Sequence, residues 1–259
     1  MGKVSVVMPV FDSANTLHNS VLSVISQSYP DFELLIVDDC SDDNSYKLAL
    51  SLAEQDKRIR CFRLPCNSGA AVARNKAIAM ASGRFIAFLD ADDLWLPDKL
   101  EKQVEFMLSN HAPISFSSYY KIDGEGNDIG FVGVPERVSY QDLLKTCYIG
   151  CLTAMYDTHH FGKVLMPEVR KRQDYALWLT LLKHTDYAYG ISQPLAKYRV
   201  HKGSVSYNKF SAARHTWRVY RECEKLPVLV AAYYFTHYAL RGVLRKYAPA
   251  FARLTGVMH

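Results

Sequence analysis

Cysteine is scarce in this sequence: six among 259 residues, far too few for a disulfide scaffold. The spacing of Cys40, Cys61, Cys66, Cys147, Cys151 and Cys223 matches no zinc pattern, so reduced and mostly buried thiols are expected. No apolar run approaches the roughly 20 residues of a membrane-spanning helix. The N-terminus, Met1-Gly2-Lys3 and then Val4 to Phe11, has neither the long apolar stretch nor the small-residue cleavage site of a secretory signal, which leads us to expect a cytoplasmic protein. No glycine-rich phosphate loop follows the first apolar run, where Pro9-Val10-Phe11-Asp12-Ser13 stands instead. A G-x-G-x-x-G fingerprint is missing, which removes the ordinary dinucleotide dehydrogenases. Internal repeats and low-complexity tracts are absent too. With 49% apolar and 22% charged residues, the chain has ordinary globular usage, so disorder is excluded.

What is present begins with strand and helix signals in alternation. Val4 to Met8 is a β-branched run that Pro9 should stop. Leu17, Val21, Val24 and Ile25 then fall on one helical face. Phe32 to Val37 reads as a second strand, residues 46–53 as a helix and Arg60 to Leu64 as a third strand. Residues 70–81 are Ala-rich and helical, with Gly83 expected to stop them as a left-handed cap. Phe85 to Leu89 is a fourth strand, and Pro97 opens a further helix. Alternation of this kind, with continuously apolar strands, predicts an α/β fold: a mainly parallel, Rossmann-like sheet with helices on both faces. After residue 113 the pattern changes. Strands are predicted at 114–120, 131–134 and 195–200, and short helices at 139–147 and 174–184. Residues 1–205 read as one continuous domain, with 206–259 as a helical extension.

In such sheets ligands sit beyond the carboxyl ends of the strands. Asp38-Asp39 and Asp90-Ala91-Asp92-Asp93 stand at two of those ends. Three carboxylates in four residues repel one another and call for a compensating cation; Mg²⁺ or Mn²⁺ with oxygen ligands is the economical one. A helix cap would explain one aspartate, not three. Arg74 falls near the start of the Ala-rich helix, where the dipole does not favour a cation, so a phosphate beside it would explain it. Asp174 opens an apolar helix, as an N-cap or as a catalytic group. His201 stands at a strand exit and has metal-donor chemistry.

Charge is unevenly distributed. The net charge is +5. Residues 214–259 carry eight bases (Arg214, Arg218, Arg221, Lys225, Arg241, Arg245, Lys246 and Arg253) against Glu222 and Glu224, whereas acids and bases nearly balance elsewhere. Val228 to Leu240 is apolar and aromatic but too short to span a bilayer. Two readings stay open: an interfacial helix on anionic lipid, or a helix packed on the catalytic domain with a solvated basic face.

Taken in order, Val4 to Phe11, Glu33 to Ser41, Asn67-Ser68-Gly69 through Ala73-Arg74-Asn75, Phe88 to Asp93, Gln173 to Leu179 and Tyr198-Arg199-Val200-His201 resemble the family 2 inverting glycosyltransferases of GT-A fold, including bacterial polysaccharide and O-antigen-type sugar transferases. The resemblance covers about residues 3–206. It implies a nucleotide-sugar-binding half at 1–113 and an acceptor-binding half at 114–205. Pro9, Phe11, Asp12 and Asp39 would line the donor pocket with Arg74 nearby. Asp90 and Asp92 match the DxD motif that handles ribose and metal, with Asp93 able to share or take over the metal and His201 to complete it. Asp174 matches the general base. Two positions depart from the family: Asp12 replaces the usual Asn, and Gln173 replaces the Glu before Asp174. The resemblance further implies an Mn²⁺- or Mg²⁺-dependent transfer from a UDP-sugar to a saccharide hydroxyl, on a lipid-diphosphate-linked acceptor at the inner face of the plasma membrane. A sugar-nucleotide pyrophosphorylase would want a Gly-rich loop after the first strand. A dehalogenase-like phosphatase would leave Asp38-Asp39 unexplained. Nucleic acid is not expected as a partner, since only the basic tail would speak for it.

Overall fold

A computed structural model describes residues 2–200 and 209–256. In chain order the elements are β1 (Val4–Val10), α1 (Leu17–Ile25), β2 (Phe32–Asp38), α2 (Ser45–Gln55), β3 (Ile59–Arg63), α3 (Ala70–Met80), β4 (Phe85–Phe88), β5 (Leu94–Trp95), α4 (Lys99–Ser109), β6 (Ile114–Ile122), β7 (Asp128–Val132), β8 (Arg137–Val138), α5 (Tyr140–Lys145), β9 (Met155–Asp157), α6 (Thr158–Phe161), α7 (Gln173–Leu181), β10 (Ala188–Arg199), α8 (Lys209–Arg218), α9 (Val228–Tyr247) and α10 (Pro249–Leu254).

The strands form one sheet in the order β3-β2-β1-β4-β9-β6-β10-β5, with β7 added beside β6 and β8 beside β10. Its first part, β3-β2-β1-β4, is parallel throughout. Beyond β4 the sheet is mixed, since β9 runs antiparallel to both β4 and β6, while β6 and β10 are parallel. The expectation of a mainly parallel sheet therefore holds for the N-terminal half, where helices supply the crossovers. In the C-terminal half the antiparallel strand β9 interrupts that pattern, although β6 and β10 are again parallel and are joined through α5, α6 and α7.

Side-chain alternation divides the core into two layers. Val7, Leu35, Val37 and Phe88 face one layer with α3 and α7. Val4, Val6, Met8, Leu34, Ile36 and Ala87 face the other with α1 and α4. Both faces are thus apolar, which is why these strands read as continuous apolar runs.

Three local details differ from the sequence reading. Strand β1 does not stop at Pro9 but continues to Val10, pairing Pro9 with Val37 of β2. On its other side β4 pairs only as far as Val7, so the missing N–H of Pro9 breaks no ladder there. Helix α3 ends at Met80 with Ala81 extended, and Gly83 is not among the positive-φ residues. A Cβ on Gly83 would lie 2.6 Å from the Lys3 carbonyl and 2.7 Å from the Ser5 amide, so close backbone approach is what requires glycine. The last strand is longer than expected, running from Ala188 through a register shift around Pro194 to Arg199.

The C-terminal segment packs on the domain. Ala231 is buried in the layer that holds α7, and Tyr234, Phe235 and Trp217 pack against it. Trp217 and Phe235 meet edge to face at 5.5 Å. Among the described residues no helix is long and apolar enough to cross a membrane.

Candidate active site

The ends of β1, β2 and β4 build the first wall. Asp38 and Asp39 follow one another at the end of β2 but do different work. Asp38 is fully buried and accepts from the Ser41 hydroxyl at 2.5 Å and amide at 3.1 Å, with Arg63 at 3.2 Å. Asp39 is 3% exposed and accepts from the Ser68 and Gly69 amides at 2.7 and 2.8 Å. It thereby ties the β2 end to the start of α3, where Gly69 adopts a φ of 93°. Each of its oxygens keeps acceptor capacity after one such bond. Phe11 projects 45% exposed beside this pair. Asp12 has a φ of 45° and accepts from the Asp42 amide at 3.0 Å. Asn and Asp are the non-glycine residues that tolerate left-handed backbone best, which accounts for Asp at a position where the family has Asn.

The Asp90–Asp93 loop forms the second wall. Asp90 is ion-paired with Arg74 of α3. Arg74 is buried, and although desolvation works against its charge, Asp90 outweighs it and the guanidinium is held protonated. The sequence reading left Arg74 to a phosphate; here a carboxylate of the same site already faces it. Asp92 is half-buried. Asp93 is 2% exposed and accepts from the Arg199 amide at 2.8 Å. Burial, then the charges of Asp92 and Asp90, push its carboxyl well above the usual carboxylate range.

Arg199 is a site-building residue to which the sequence reading gave no role. Its Nε donates to the Asp92 carbonyl at 2.9 Å, and its Nη1 donates to the Asp123 and Gly124 carbonyls at 3.0 and 2.8 Å. It thus holds the acidic loop against the β6–β7 turn. The signal for it was a base two residues before His201 at a strand end. His201 itself lies outside the described residues.

Asp174 is the second residue of α7, half-buried. It is not the N-cap; that position belongs to Arg172, which adopts a left-handed φ of 66°. The charge of Asp174 is felt by Arg74 and by Cys151, and Cys151 also senses Asp90 and Asp93. Cys151 is a second residue the sequence did not single out. Burial, despite opposition from Arg74, raises its thiol well above the ordinary range, which makes it packing and not a nucleophile. The fold therefore brings Asp90 and Asp174 to Arg74, and sets Asp93 with them near Cys151, although these residues are far apart in the chain.

The glycosyl transferase family 2 model matches residues 5–160, which end just past β9. The chain belongs to that family. Among curated relatives, the transferase is 45% identical over 244 residues to TuaG of Bacillus subtilis, whose name assigns it to teichuronic acid biosynthesis; the match covers 94% of this chain and 97% of TuaG. It is 38% identical to WfgD of Escherichia coli, a UDP-Glc:alpha-D-GlcNAc-diphosphoundecaprenol beta-1,3-glucosyltransferase, with 95% of both chains covered. The fold matches S. aureus TarS 1-349 in complex with UDP-GlcNAc at TM-score 0.71 and 19% identity, covering 94% of this chain and 73% of TarS 1-349. It also matches the mannosyltransferase PcManGT of Pyrobaculum calidifontis, solved with GDP-Man and Mn2+, at TM-score 0.66 and 17% identity, covering 98% and 79%. The transferase therefore has the GT-A fold.

The donor set of this site is made of carboxylate oxygens, which suits a hard divalent cation. Arg74 is ion-paired with Asp90, one of the three carboxylates of this loop. Among the described residues no three His, Cys, Asp or Glu side chains converge on one point. Asp92 and Asp93 would hold the ion together with donor phosphate oxygens and water.

Proposed function

We propose that this glycosyltransferase moves a hexose or N-acetylhexosamine from a UDP-sugar, with inversion, to a hydroxyl of a saccharide that is linked through a diphosphate to a lipid, in the synthesis of a surface polysaccharide. The observation that carries the reading is the Asp90–Arg74 ion pair, with the charge of Asp174 acting on the same guanidinium. It sets a donor-handling loop and a candidate base beside one cation. The relatives named for teichuronic acid synthesis and for a lipid-diphosphate acceptor support the acceptor class.

In this reading residues 1–113 bind the donor and 114–205 the acceptor. Phe11, with its ring exposed, packs on the base, and Pro9, Asp12 and Asp39 border it. Asp90 meets the ribose while Arg74 fixes its rotamer. A divalent ion, Mn²⁺ or Mg²⁺, supplies charge neutralisation for the leaving diphosphate, held by Asp92 and Asp93 with His201 as a further ligand. Asp174 accepts the proton of the acceptor hydroxyl as that oxygen attacks the anomeric carbon from the face opposite the diphosphate. One displacement inverts the centre, so an α-linked donor gives a β-linked product, by the geometry that governs inverting glycosidases. Gln173 keeps the adjacent position neutral and leaves Asp174 as the only carboxylate of that pair.

Attachment to an anionic membrane surface on the inner face of the plasma membrane completes the proposal. The outward face of α9 and α10 is apolar: Leu229 is 84% exposed, and Tyr233, Leu240, Val243, Tyr247 and Phe251 accompany it. The test is release of UDP from a panel of UDP-sugars with Mn²⁺, with and without a GlcNAc-diphosphate-lipid acceptor. Acceptor-dependent release and a β-linked product are expected. Metal-independent release, or release that ignores every saccharide acceptor, overturns the reading.

A further inference from the structure

Beside Asp174 lies a group of arginines that the transfer chemistry does not use. Arg172 precedes α7 with left-handed backbone, an unfavourable conformation for a non-glycine residue. Its Nη2 donates to the Tyr238 hydroxyl of α9 at 2.9 Å, and its guanidinium lies 5.9 Å from that ring. Arg241 of α9 donates to the Tyr148 hydroxyl at 2.6 Å. Arg245, one turn on, stands 5.5 Å over the same Tyr148 ring. So Arg241 and Arg245 do not belong to the outer face of α9. Both turn toward Tyr148, while Tyr238 of the same helix reaches Arg172 at the start of α7.

The place where they converge can be located from its neighbours. The Cys147 thiol senses Asp174, Arg172 and Arg245 together. Tyr119 of β6 senses both Asp93 and Arg245. Arg172 thus stands two residues before Asp174, and Arg245 shares the surroundings of Cys147 with Asp174 and those of Tyr119 with Asp93. Arg172 and Arg241 each give a hydrogen bond to a tyrosine hydroxyl, a neutral partner, while the charges of Asp174 and Asp142 act on Arg172 and Arg241 from nearby. Arg241 and Arg245 also oppose each other, and burial with that repulsion lowers the Arg245 guanidinium. All three side chains remain partly open to solvent. Three guanidiniums brought together in this way, each with a fork of N–H donors, suit phosphate oxygens.

We propose that Arg172, Arg241 and Arg245 form the seat of a diphosphate carried by the acceptor, placed so that the sugar beyond it presents its hydroxyl to Asp174. The assignment rests on the acceptor class proposed above and gives it a location. A diphosphate here is distinct from that of the donor, whose partners are the ion-binding aspartates. It gives α9 a part in substrate choice: the helix would read the linkage between sugar and lipid, while its outer face meets the bilayer.

The test uses the full chain saturated with UDP and Mg²⁺, so that the donor site is filled. Inorganic pyrophosphate titrated into it calorimetrically is expected to bind, and Arg172→Gln and Arg241→Gln each to weaken that binding about 10- to 100-fold, with Arg241→Lys recovering part of it. Absence of binding to the UDP-loaded wild type, or equal affinity in the Gln variants, overturns the seat. A second arm compares GlcNAc joined to an alkyl chain through a diphosphate with the same sugar as a neutral alkyl glycoside. The ratio of their kcat/KM values is expected to fall at least about tenfold in either Gln variant; an unchanged ratio overturns the proposal. Flotation with phosphatidylglycerol vesicles separates the sources: loss of vesicle binding in the Gln variants with that ratio intact would assign the arginines to lipid headgroups and reject the seat. Arginine-dependent pyrophosphate binding in a chain that transfers sugar to neither acceptor would leave the seat standing and reject the proposed function instead.

Discussion

At the scale of single residues, the site separates side chains that act from side chains that hold. Asp174 is half-buried with its charge acting on Arg74, and in the proposed reaction it is the group that takes a proton. Asp174→Asn is expected to keep donor affinity and lose about 10²–10⁴-fold in transfer rate, read by UDP release beside a calorimetric donor titration. Retained turnover would remove it from the mechanism. Gly83 belongs to the holding class. Gly83→Ala would push a methyl against the backbone of Lys3 and Ser5, so a loss of about 2–4 kcal/mol in urea unfolding is expected. Lys99 is different again. Its ammonium lies 3.8 Å over the Trp95 ring, has no hydrogen-bond partner, and is pushed well below its ordinary pKa by burial alone. Lys99→Met keeps the volume and removes the buried amine. Unchanged or raised stability, by about 0–2 kcal/mol in the same assay, is expected.

At the scale of elements, Glu33 clamps the start of β2 to β1 and to the turn before β4. It accepts from the Ser5 hydroxyl at 2.7 Å, the Ser82 amide at 2.6 Å and the Ser82 hydroxyl at 2.7 Å, with Arg60 at 3.3 Å. Desolvation raises its pKa, but the Ser5 and Ser82 hydrogen bonds and the charge of Lys3 prevail and bring it from 4.5 down to about 2. A pKa depressed in the folded state stabilises above the unfolded value and loses that contribution as pH falls through the folded one. Stability is therefore expected to drop by about 1–2 kcal/mol between roughly pH 5 and pH 2 on account of this group, and Glu33→Gln to remove that part of the slope in denaturation series across the window. Helix α9 carries the other element-scale expectation. Its inner face is part of the core through Ala231, so deleting the C-terminal segment would unfold more than it removes. Point changes serve better. Leu229→Ser with Tyr233→Ser and Leu240→Ser is expected to abolish flotation with anionic vesicles while leaving thermal unfolding nearly unchanged. Unaltered flotation, or a fall in particle mass by light scattering in place of lost flotation, would assign that face to something other than lipid.

At the scale of the whole molecule, the strand–helix alternation of residues 4–109 was legible because both faces of a parallel sheet must be apolar, and that requirement writes itself into continuous runs such as Phe32–Val37 and Phe85–Phe88. The acidic strand ends were legible for a related reason: turn formers and carboxylates have no place inside such runs. Asp39 and Asp90 could thus be named from local order alone. Their partners could not. Arg74 is drawn to Asp90, Arg199 to Asp92 and Asp93, and Gly69 to Asp39 only after the chain closes, since each pair joins elements separated by many residues. The inward turn of Arg241 and Arg245 was equally hidden. In the sequence they look like the basic flank of an interfacial helix, and only the packing of α9 on α5 points them at Tyr148. Local pattern by itself determined the layered fold and the acidic rim, because burial and turn chemistry act over a few residues. Tertiary structure alone decided which charges meet, because ion pairing depends on distance in space, and that distance is set by the assembled sheet.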